Sequence, residues 1–269
     1  MTRAREPAAN GAAPHAAGGV MRGAGPAANA APARATRAAE LAALEAAIHE
    51  CRRCPRLVAW REQVAREKRA AFRDETYWGR PIGGFGDPAA RVVLLGLAPA
   101  AHGANRTGRV FTGDRSGDFL FAALHRTGYA NQPFAVSRDD GLELSDCWIT
   151  ASVRCAPPAN KPLPSERDNC ARWLRAELPL LERARVVVCL GAFAWESGFR
   201  QLAAALRPRP RFGHGAEARL GDLTLLGCFH PSQQNTFTGK LTAAMLDAVL
   251  ERARELAAQA RSASTTSAE

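Results

Sequence analysis

The sequence predicts an α/β protein, a three-layer α/β/α sandwich around a four-stranded parallel sheet. Two observations support this fold class. First, four short runs are nearly continuous in apolar and β-branched residues, as strands covered on both faces should be. These runs lie at 91–97, 147–153, 185–190 and 223–229. Second, helical patterns separate the runs, and strands that alternate with helices are typical of a parallel sheet.

Apolar residues recur at helical spacing in four segments, 37–50, 118–126, 165–178 and 241–249. A capping pattern begins the third of these helices, because Ser165 is followed three positions later by Asp168. The connection at 131–146 is long for a link between two elements. We therefore expect it to hold an extra loop or hairpin.

The composition is that of a globular protein, since 46% of the 269 residues are hydrophobic and 23% are charged. Residues 1–36 are rich in Ala, Gly and Pro, and we expect them and 260–269 to be disordered tails around one domain at 37–259. No apolar run approaches the ~20 residues of a membrane span. The N-terminus also has no apolar region typical of a secretory signal. Membrane, secreted and fibrous classes are thus excluded, and we expect a cytoplasmic protein. The formal net charge of +10 favours a polyanionic partner.

The loop at 98–114 follows the first strand, at the edge where an open parallel sheet binds its ligands. Its segment 103–110 has the two glycines of a P-loop. However, Arg109 replaces the Lys and Val110 replaces the Ser or Thr that holds Mg²⁺, which disfavours an NTPase. Asp114 precedes a predicted helix and is either a capping carboxylate or a general base. The sequence alone favours the cap.

The loops after the second and fourth strands carry further polar candidates. Three prolines stiffen the loop around Asn160, whose amide can read a base edge or orient a water, although it can equally be a turn residue. His230 lies at a strand end, where it is placed for chemistry. Phe237 follows among amides and Lys240. Such an apolar side chain suits insertion into a DNA groove, and the alternative is a mobile loop with Phe237 anchored in the core.

The seven cysteines form two groups, and their odd number in a chain without an export signal disfavours a disulfide framework. Three of them, in predicted strands, are expected to be small buried hydrophobes: Cys147, Cys189 and Cys228. The other four lie outside the strands: Cys51, Cys54, Cys155 and Cys170. A C-x₂-C pair with two further Cys favours a metal site, either Zn²⁺ or an iron–sulfur cluster. The alternative is that the last two are unrelated to the pair.

Together these segments resemble the family 5 (type B) uracil-DNA glycosylases. The matching motifs are GLAPAAHGANRTGRVFTGD at 96–114, CAPPANKP at 155–162 and HPSQQNTFTG at 230–239, with the remaining cysteines of the second group. The resemblance covers roughly 37–258 and implies the same α/β/α sandwich. It also implies a structural 4Fe–4S cluster held by Cys51, Cys54, Cys155 and Cys170.

The resemblance further implies a monofunctional glycosylase that flips uracil, especially opposite G, out of double-stranded DNA and leaves an abasic site. Phe111 would stack on the flipped base, and His230 would stabilise the charge on the departing base. Asp114 and Asn160 would position or activate water. A monomer associated with the nucleoid is expected. Its expected DNA contacts are Arg106, Gln233, Asn235, Phe237 and Lys240.

Two pocket positions depart from other glycosylase families. Ala98 stands where many members have a carboxylate or amide, and Ala151 aligns with a base-reading Asn. Because neither alanine can hydrogen-bond a substrate, we expect a broad range: uracil first, then hydroxymethyluracil, ethenocytosine and hypoxanthine. The competing hypotheses are a glycosylase for another damaged base, a catalytically silent iron–sulfur DNA-binding protein and a zinc-stabilised nucleotide-binding protein.

Overall fold

A computed structural model describes residues 30–203 and 208–265. Its helices are α1 (Ala30–His49), α2 (Pro55–Glu67), α3 (Ala104–Thr107), α4 (Arg115–Arg126), α5 (Pro164–Glu177), α6 (Ala192–Leu202), α7 (Gln233–Phe237) and α8 (Ala243–Thr265). Its strands are β1 (Phe85–Gly86), β2 (Val92–Gly96), β3 (Cys147–Ala151), β4 (Val186–Leu190), β5 (Glu217–Leu220) and β6 (Leu223–Cys228). The four predicted strands and the four predicted helices are all present. The structure adds α2 and α6 and the short helices α3 and α7, which the sequence did not reveal.

The sheet has six strands in the order β1-β3-β2-β4-β6-β5. The inner four strands are parallel, as predicted, with Val92 opposite Cys147 in β3 and opposite Val186 in β4. The two edge strands are antiparallel and correct the predicted count of four. The sequence did not reveal them because β1 has only two residues and β5 is partly exposed and polar. Edge strands of this kind carry little of the apolar signal by which buried strands are recognised.

Two hydrophobic cores lie on opposite faces of the sheet. Alternate side chains of a strand point to opposite faces, so Val92 and Leu94 pack in one core while Val93 and Leu95 pack in the other. The first core includes apolar residues of α4 and α8, and the second includes those of α1, α5 and α6. The three-layer α/β/α arrangement is therefore confirmed. It brings the carboxyl ends of all four parallel strands to one edge.

The helix α5, which carries Cys170, begins at Pro164 rather than Ser165. The Glu166 carboxylate accepts a hydrogen bond from the backbone N–H of Leu163 at 2.7 Å. Glu166 therefore closes the N-terminus of this helix in place of the predicted Asp168. Asp168 instead pairs with the guanidinium of Arg167.

The long connection at 131–146 is an irregular loop with one isolated bridge, between Ala130 and Leu144. A buried ion pair, Arg109 Nη2 to Asp140 Oδ2 at 2.7 Å, fixes this loop to the loop after β2. Asp140 also accepts hydrogen bonds from three backbone N–H groups within the connection. The loop is therefore held in one conformation despite its lack of regular structure.

The terminal helices reach into the segments for which the sequence predicts disorder. Helix α1 begins at Ala30, inside 1–36, and α8 continues to Thr265, inside 260–269. Both extensions are rich in Ala or other residues that tolerate a helix. The rest of the predicted tails, 1–29 and 266–269, lies outside the described residues. Neither these helices nor any other in the described part of the chain are long and apolar enough to span a membrane.

Candidate active site

A pocket of about 380 Å³ opens at the carboxyl edge of the parallel strands. The structure brings together in its wall all six residues predicted for catalysis and substrate binding: Ala98, Phe111, Asp114, Ala151, Asn160 and His230. They come from three loops that are distant in sequence, those after β2, β3 and β6. The volume is at the lower end of the range for small-molecule sites and is large enough for a single planar base.

Phe111 forms one side of the pocket, in a strained backbone conformation with φ of 53°. The conformation directs its ring over Gly96, where a Cβ would lie only 2.9 Å from Phe111 Cε2. Its ring centroid is 5.9 Å from that of His230. A non-glycine residue at positive φ costs stability and persists where its surroundings hold it. Here it places an aromatic face beside a histidine.

Asp114 is both a helix cap and a pocket residue. Its Oδ1 accepts hydrogen bonds from the backbone N–H groups of Ser116 at 2.9 Å and Gly117 at 3.0 Å, which confirms the capping interpretation. Its Oδ2 lies against Gly103, where any Cβ would collide with it. Burial raises the pKa of the Asp114 carboxyl, and the two backbone hydrogen bonds only partly oppose this. One carboxylate oxygen thus remains available to chemistry, on a group whose basicity is increased.

His230 is held at the end of β6 with an uncharged ring. Burial lowers the pKa of its imidazole to about 4, so the ring is neutral at pH 7. Gly191, at φ of 93°, lets the chain pass close, and a Cβ there would lie 3.3 Å from His230 Cβ. The Asn235 side-chain amide donates a hydrogen bond to the His230 carbonyl at 2.9 Å. A neutral imidazole can still donate one N–H bond into the pocket.

Asn160 ends a single turn of 3₁₀ helix, Pro158–Asn160, within the proline-rich loop. Both Ala159 and Asn160 have positive φ, 52° and 55°, which is a conformation that Asn tolerates better than most residues. The Asn160 side chain is exposed at the pocket mouth. Its amide has no hydrogen-bond partner among the described residues, so it is free to bind a substrate or a water.

Three polar residues of the pocket were not singled out from the sequence: Ser116, Ser232 and Gln234. Ser232 caps α7 by accepting a hydrogen bond from the Asn235 backbone N–H, and Gln234 presents an amide at the rim. Gln234 lies within the motif that follows His230, but a run of neighbouring amides gives no sign of which one faces the pocket. Only the geometry of α7 decides this.

The predicted DNA contacts divide into exposed and interior residues. Gln233, Phe237 and Lys240 are exposed beside the pocket, and Phe237 is 70% exposed with the Arg115 guanidinium 5.6 Å from its ring. This excludes the alternative of a Phe237 anchored in the core. Arg106 and Asn235 are less exposed, and their side chains make contacts within the protein.

Arg106 is buried, and its guanidinium donates to the carbonyl oxygens of His102 and Gly113 and pairs with Glu75. It therefore braces the loop after β2, although it also lines a second cavity beside the pocket. Asn235 directs its amide at the His230 carbonyl instead of outward. The sequence could not reveal either role, because an Arg or Asn in a loop has the same appearance whether it faces inward or outward.

The four cysteines outside the strands line one small cavity, whose walls include α2 and the link before it, the loop after β3, and α5. Three of their sulfur atoms accept hydrogen bonds: Cys155 from Arg61 Nη1 at 3.0 Å, Cys170 from the Arg154 backbone N–H at 3.2 Å, and Cys54 from Asn169 at 3.7 Å. Arg61 and Arg154 are 2% and 1% exposed. Buried cations and N–H donors around sulfur are the surroundings that thiolate ligands need.

The four sulfurs could hold either Zn²⁺ or an iron–sulfur cluster, since both take thiolate ligands. Among the described residues, no three Cys, His, Asp or Glu side chains converge closely enough to hold a single metal ion. Burial raises the pKa of the Cys155 thiol to about 11 and that of Cys170 to about 12. These thiols would therefore have to lose their protons on binding such a group.

Comparisons with known proteins agree with this geometry. The model of the uracil DNA glycosylase superfamily matches residues 84–254. The type-5 uracil-DNA glycosylase of Mycobacterium bovis is 56% identical over 222 residues, 82% of this chain and 83% of the relative. That of Thermus thermophilus is 53% identical over 208 residues, 77% and 94% of the two chains. That of Pyrobaculum aerophilum is 47% identical over 203 residues, 76% and 87%. These matches confirm the resemblance inferred from the three motifs, and the chain belongs to the uracil-DNA glycosylase superfamily.

Proposed function

We propose that the protein is a monofunctional uracil-DNA glycosylase of base excision repair, which flips uracil out of DNA and hydrolyses its N-glycosidic bond. The observation that carries this proposal is one base-sized pocket in which Phe111, Asp114, Asn160 and His230 converge. The type-5 names of the relatives support the same activity. Double-stranded DNA is the proposed substrate, the protein acting as a monomer in association with the nucleoid.

Base flipping explains why an aromatic ring and a narrow pocket occur together. A base that leaves the stack loses a few kcal/mol of stacking and pairing energy, least at a mismatch such as U opposite G. The face of Phe111 would replace part of the lost stacking. Ala98 and Ala151 leave room for the base without a clash. Preference for U opposite G follows from the lower cost of opening that pair.

In the chemical step, the C1′–N bond breaks and its electron pair stays on the departing base. The neutral His230 imidazole would donate an N–H bond to the oxygen where this charge develops, a role of the oxyanion-hole type. A water oxygen then bonds to C1′ of the cationic sugar and releases a proton. Asp114 Oδ2 would accept that proton, and the Asn160 amide would orient the water. The products are the free base and an abasic site.

The substrate range follows from what the pocket lacks. Ala98 and Ala151 offer no hydrogen bond to a base edge. A site without a buried reader rejects analogues weakly, because a wrong base leaves no polar group unpaired. We therefore infer activity on hydroxymethyluracil, ethenocytosine and hypoxanthine, at lower rates than on uracil.

We also propose that Cys51, Cys54, Cys155 and Cys170 hold a 4Fe–4S cluster. The cluster would supply no step of the reaction and would instead cross-link α2, the loop after β3, and α5. The support is the anion-stabilising surroundings of these sulfurs, with donors from Arg61 and Arg154. Purified protein should contain iron and acid-labile sulfide in equal amounts and absorb visible light. Cys170→Ala should lose both signals, whereas Cys189→Ala, in a strand core, should keep them; zinc in place of iron would refute the proposal.

The decisive experiment for the function is base release from a labelled duplex with one uracil opposite G. Strand breakage at the uracil position only after alkali would establish a monofunctional glycosylase. A duplex with thymine in place of uracil serves as the control. Tight binding without breakage would instead support the alternative, a catalytically silent iron–sulfur DNA-binding protein. Breakage before alkali would contradict the monofunctional assignment.

A further inference from the structure

A second cavity, of about 810 Å³, adjoins the base pocket and shares Ala100, Asp114 and Asn160 with it. We call it the flanking groove and define it by Arg69, His102, Arg115, Ala135 and Val136, which line it. A base that enters the pocket remains attached to its strand through sugar and phosphate. The strand must therefore leave through space that is continuous with the pocket, and the flanking groove is such a space.

One end of the flanking groove presents hydrogen-bond donors with no acceptor. Arg69 is exposed, and its guanidinium forms neither an ion pair nor a hydrogen bond with any described residue. Beside it, Tyr77 Oη lies 3.0 Å from His102 Nδ1 and also accepts a hydrogen bond from the Arg69 backbone N–H. The Tyr77 hydroxyl pairs with Nδ1, so Nε2 is the imidazole nitrogen without a partner among the described residues. With its proton on Nε2, the His102 imidazole is a donor beside Arg69. Arg69 and His102 therefore offer adjacent donors to an anion.

The negative groups of the groove do not oppose an anion at this end. Glu75 is paired with the buried Arg106. Asp114 caps α4, and Asp118 is next to Arg115, whose charge acts to lower the pKa of that carboxyl while burial raises it. At the end formed by Arg69 and His102, no carboxylate of the groove pairs with these donors.

Another part of the groove wall is apolar and held in place. Ala135 and Val136 line it, and Val136 is 56% exposed. The Gly113 backbone N–H donates to the Ala135 carbonyl at 2.9 Å, which ties this wall to the loop that carries Asp114. Asp140 fixes the same segment through the Val136 backbone N–H at 2.8 Å. Exposed apolar side chains on a fixed backbone form a surface prepared to contact a partner at little entropic cost.

We propose that the flanking groove binds the nucleotide next to the flipped one on the lesion strand. Its phosphodiester lies at Arg69 and His102, and its sugar and base lie against Ala135 and Val136. Phosphate matches the donors, and a nucleoside matches the apolar wall. The proposal rests on the proposed function in that the ligand is DNA. It adds that contacts are asymmetric about the lesion, since the flanking groove meets the pocket at the side formed by Ala100, Asp114 and Asn160.

The test measures binding to duplexes that contain a tetrahydrofuran abasic analogue, so that no chemistry is required. The lesion strand is shortened to the lesion from its 5′ side or its 3′ side, while the complementary strand is left intact. For the wild-type holoprotein, shortening one side should raise the Kd about tenfold, the size of one charged phosphate contact, and shortening the other side should have little effect. Arg69→Gln should bind the intact duplex about tenfold more weakly than the wild type does. It should bind the duplex shortened on the sensitive side as well as the wild type binds that duplex.

Three further variants complete the design. Val136→Ser should reduce the difference in Kd between duplexes shortened on the two sides, although it removes no phosphate contact. Arg69→Lys should keep part of the difference that Arg69→Gln loses. Arg183, exposed at the opposite edge of the sheet, supplies the matched control, since Arg183→Gln should bind every duplex as the wild type does.

Three results would overturn the inference. The first is equal weakening of all duplexes by Arg69→Gln, which would mean general attraction to DNA. The second is no one-sided difference in the wild type. The third is a difference that follows shortening of the complementary strand instead. Uracil release measured in parallel keeps the two proposals separate: a wild type that binds asymmetrically but releases no uracil refutes the function and leaves the groove standing.

Discussion

Asp114 caps α4, and in the mechanism that we propose it also accepts the proton from water; substitutions that keep only one of these roles should separate them. In Asp114→Asn the side-chain oxygen can still accept the hydrogen bonds from the backbone N–H groups of Ser116 and Gly117, which are 2.9 and 3.0 Å long in the wild type. Asn and Asp are about equally good N-caps. The variant should therefore unfold at the wild-type temperature. It lacks, however, the anionic Oδ2 that we propose accepts the proton from water.

The expected magnitudes differ enough to be measured independently. Loss of a positioned general base costs about 10²- to 10⁴-fold in rate. Loss of an N-cap costs about 1 kcal/mol, or about 2–4 °C in Tm for a domain of this size. Asp114→Asn should thus lose rate and no stability, whereas Asp114→Ala should lose both. Asp114→Ser, whose hydroxyl can cap, should behave like the Asn variant.

The assay is single-turnover release of uracil from a duplex with uracil opposite G, together with thermal unfolding and binding to the same duplex. All three variants should bind DNA as the wild type does, because Asp114 lies inside the pocket. The reasoning is refuted if Asp114→Asn releases uracil at the wild-type rate. In that case the carboxylate would only be a cap, and Asn160 would have to act on the water alone.

Four further predictions follow from the same contacts. Because burial raises the pKa of Asp114 and we propose that its carboxylate is the active form, the single-turnover rate should rise with pH through that raised pKa and then level off. A change in rate near pH 6.5 that disappears in His230→Asn would contradict a neutral His230 with a pKa of about 4. Gly103→Ala should slow base release with little loss of DNA binding, since a Cβ there would displace the Asp114 carboxylate; an unchanged rate would count against that contact. Phe237→Ala should weaken binding to a lesion duplex about tenfold and leave the Tm unchanged, as measured by anisotropy and thermal unfolding. Asp140→Asn should lower the free energy of unfolding by about 3 kcal/mol at pH 7, because it leaves a buried guanidinium without its charged partner. Burial raises the pKa of Asp140, but the hydrogen bonds from Arg109 and three backbone N–H groups lower it more and hold it at about 2. In urea unfolding, the difference between variant and wild type should therefore fade as the pH falls from about 4 towards 2.

Much of the sheet and of the site could be predicted because the signals are local. A parallel strand covered on both faces is mostly apolar, and β2, β3, β4 and β6 all are, with Thr150 and Thr224 as the exceptions. Their order along the chain then places the loops after β2, β3 and β6 at one edge. The convergence of Phe111, Asp114, Asn160 and His230 was predictable for this reason. The edge strands were not, because β1 and β5 are short or half-exposed.

The interior roles of polar residues required the folded chain. The sequence shows Arg106, Asn235 and Gln234 as similar loop residues. The structure buries the first, turns the second towards the His230 carbonyl and places the third at the pocket rim. Which way a polar side chain faces depends on partners contributed by other segments, such as Glu75 for Arg106.

The fold class, the three loops of the candidate site and the four cysteines outside the strands could be predicted, since each depends on residue type and spacing along one segment. The burial that lowers the pKa of His230, the position of the capping Asp114 in the pocket wall and the flanking groove emerge only in the folded chain. A pKa depends on burial, and burial is a property of the whole packed chain rather than of a segment. The groove likewise has walls from the end of α2, the loop after β2 and the connection before β3, which are adjacent only after folding.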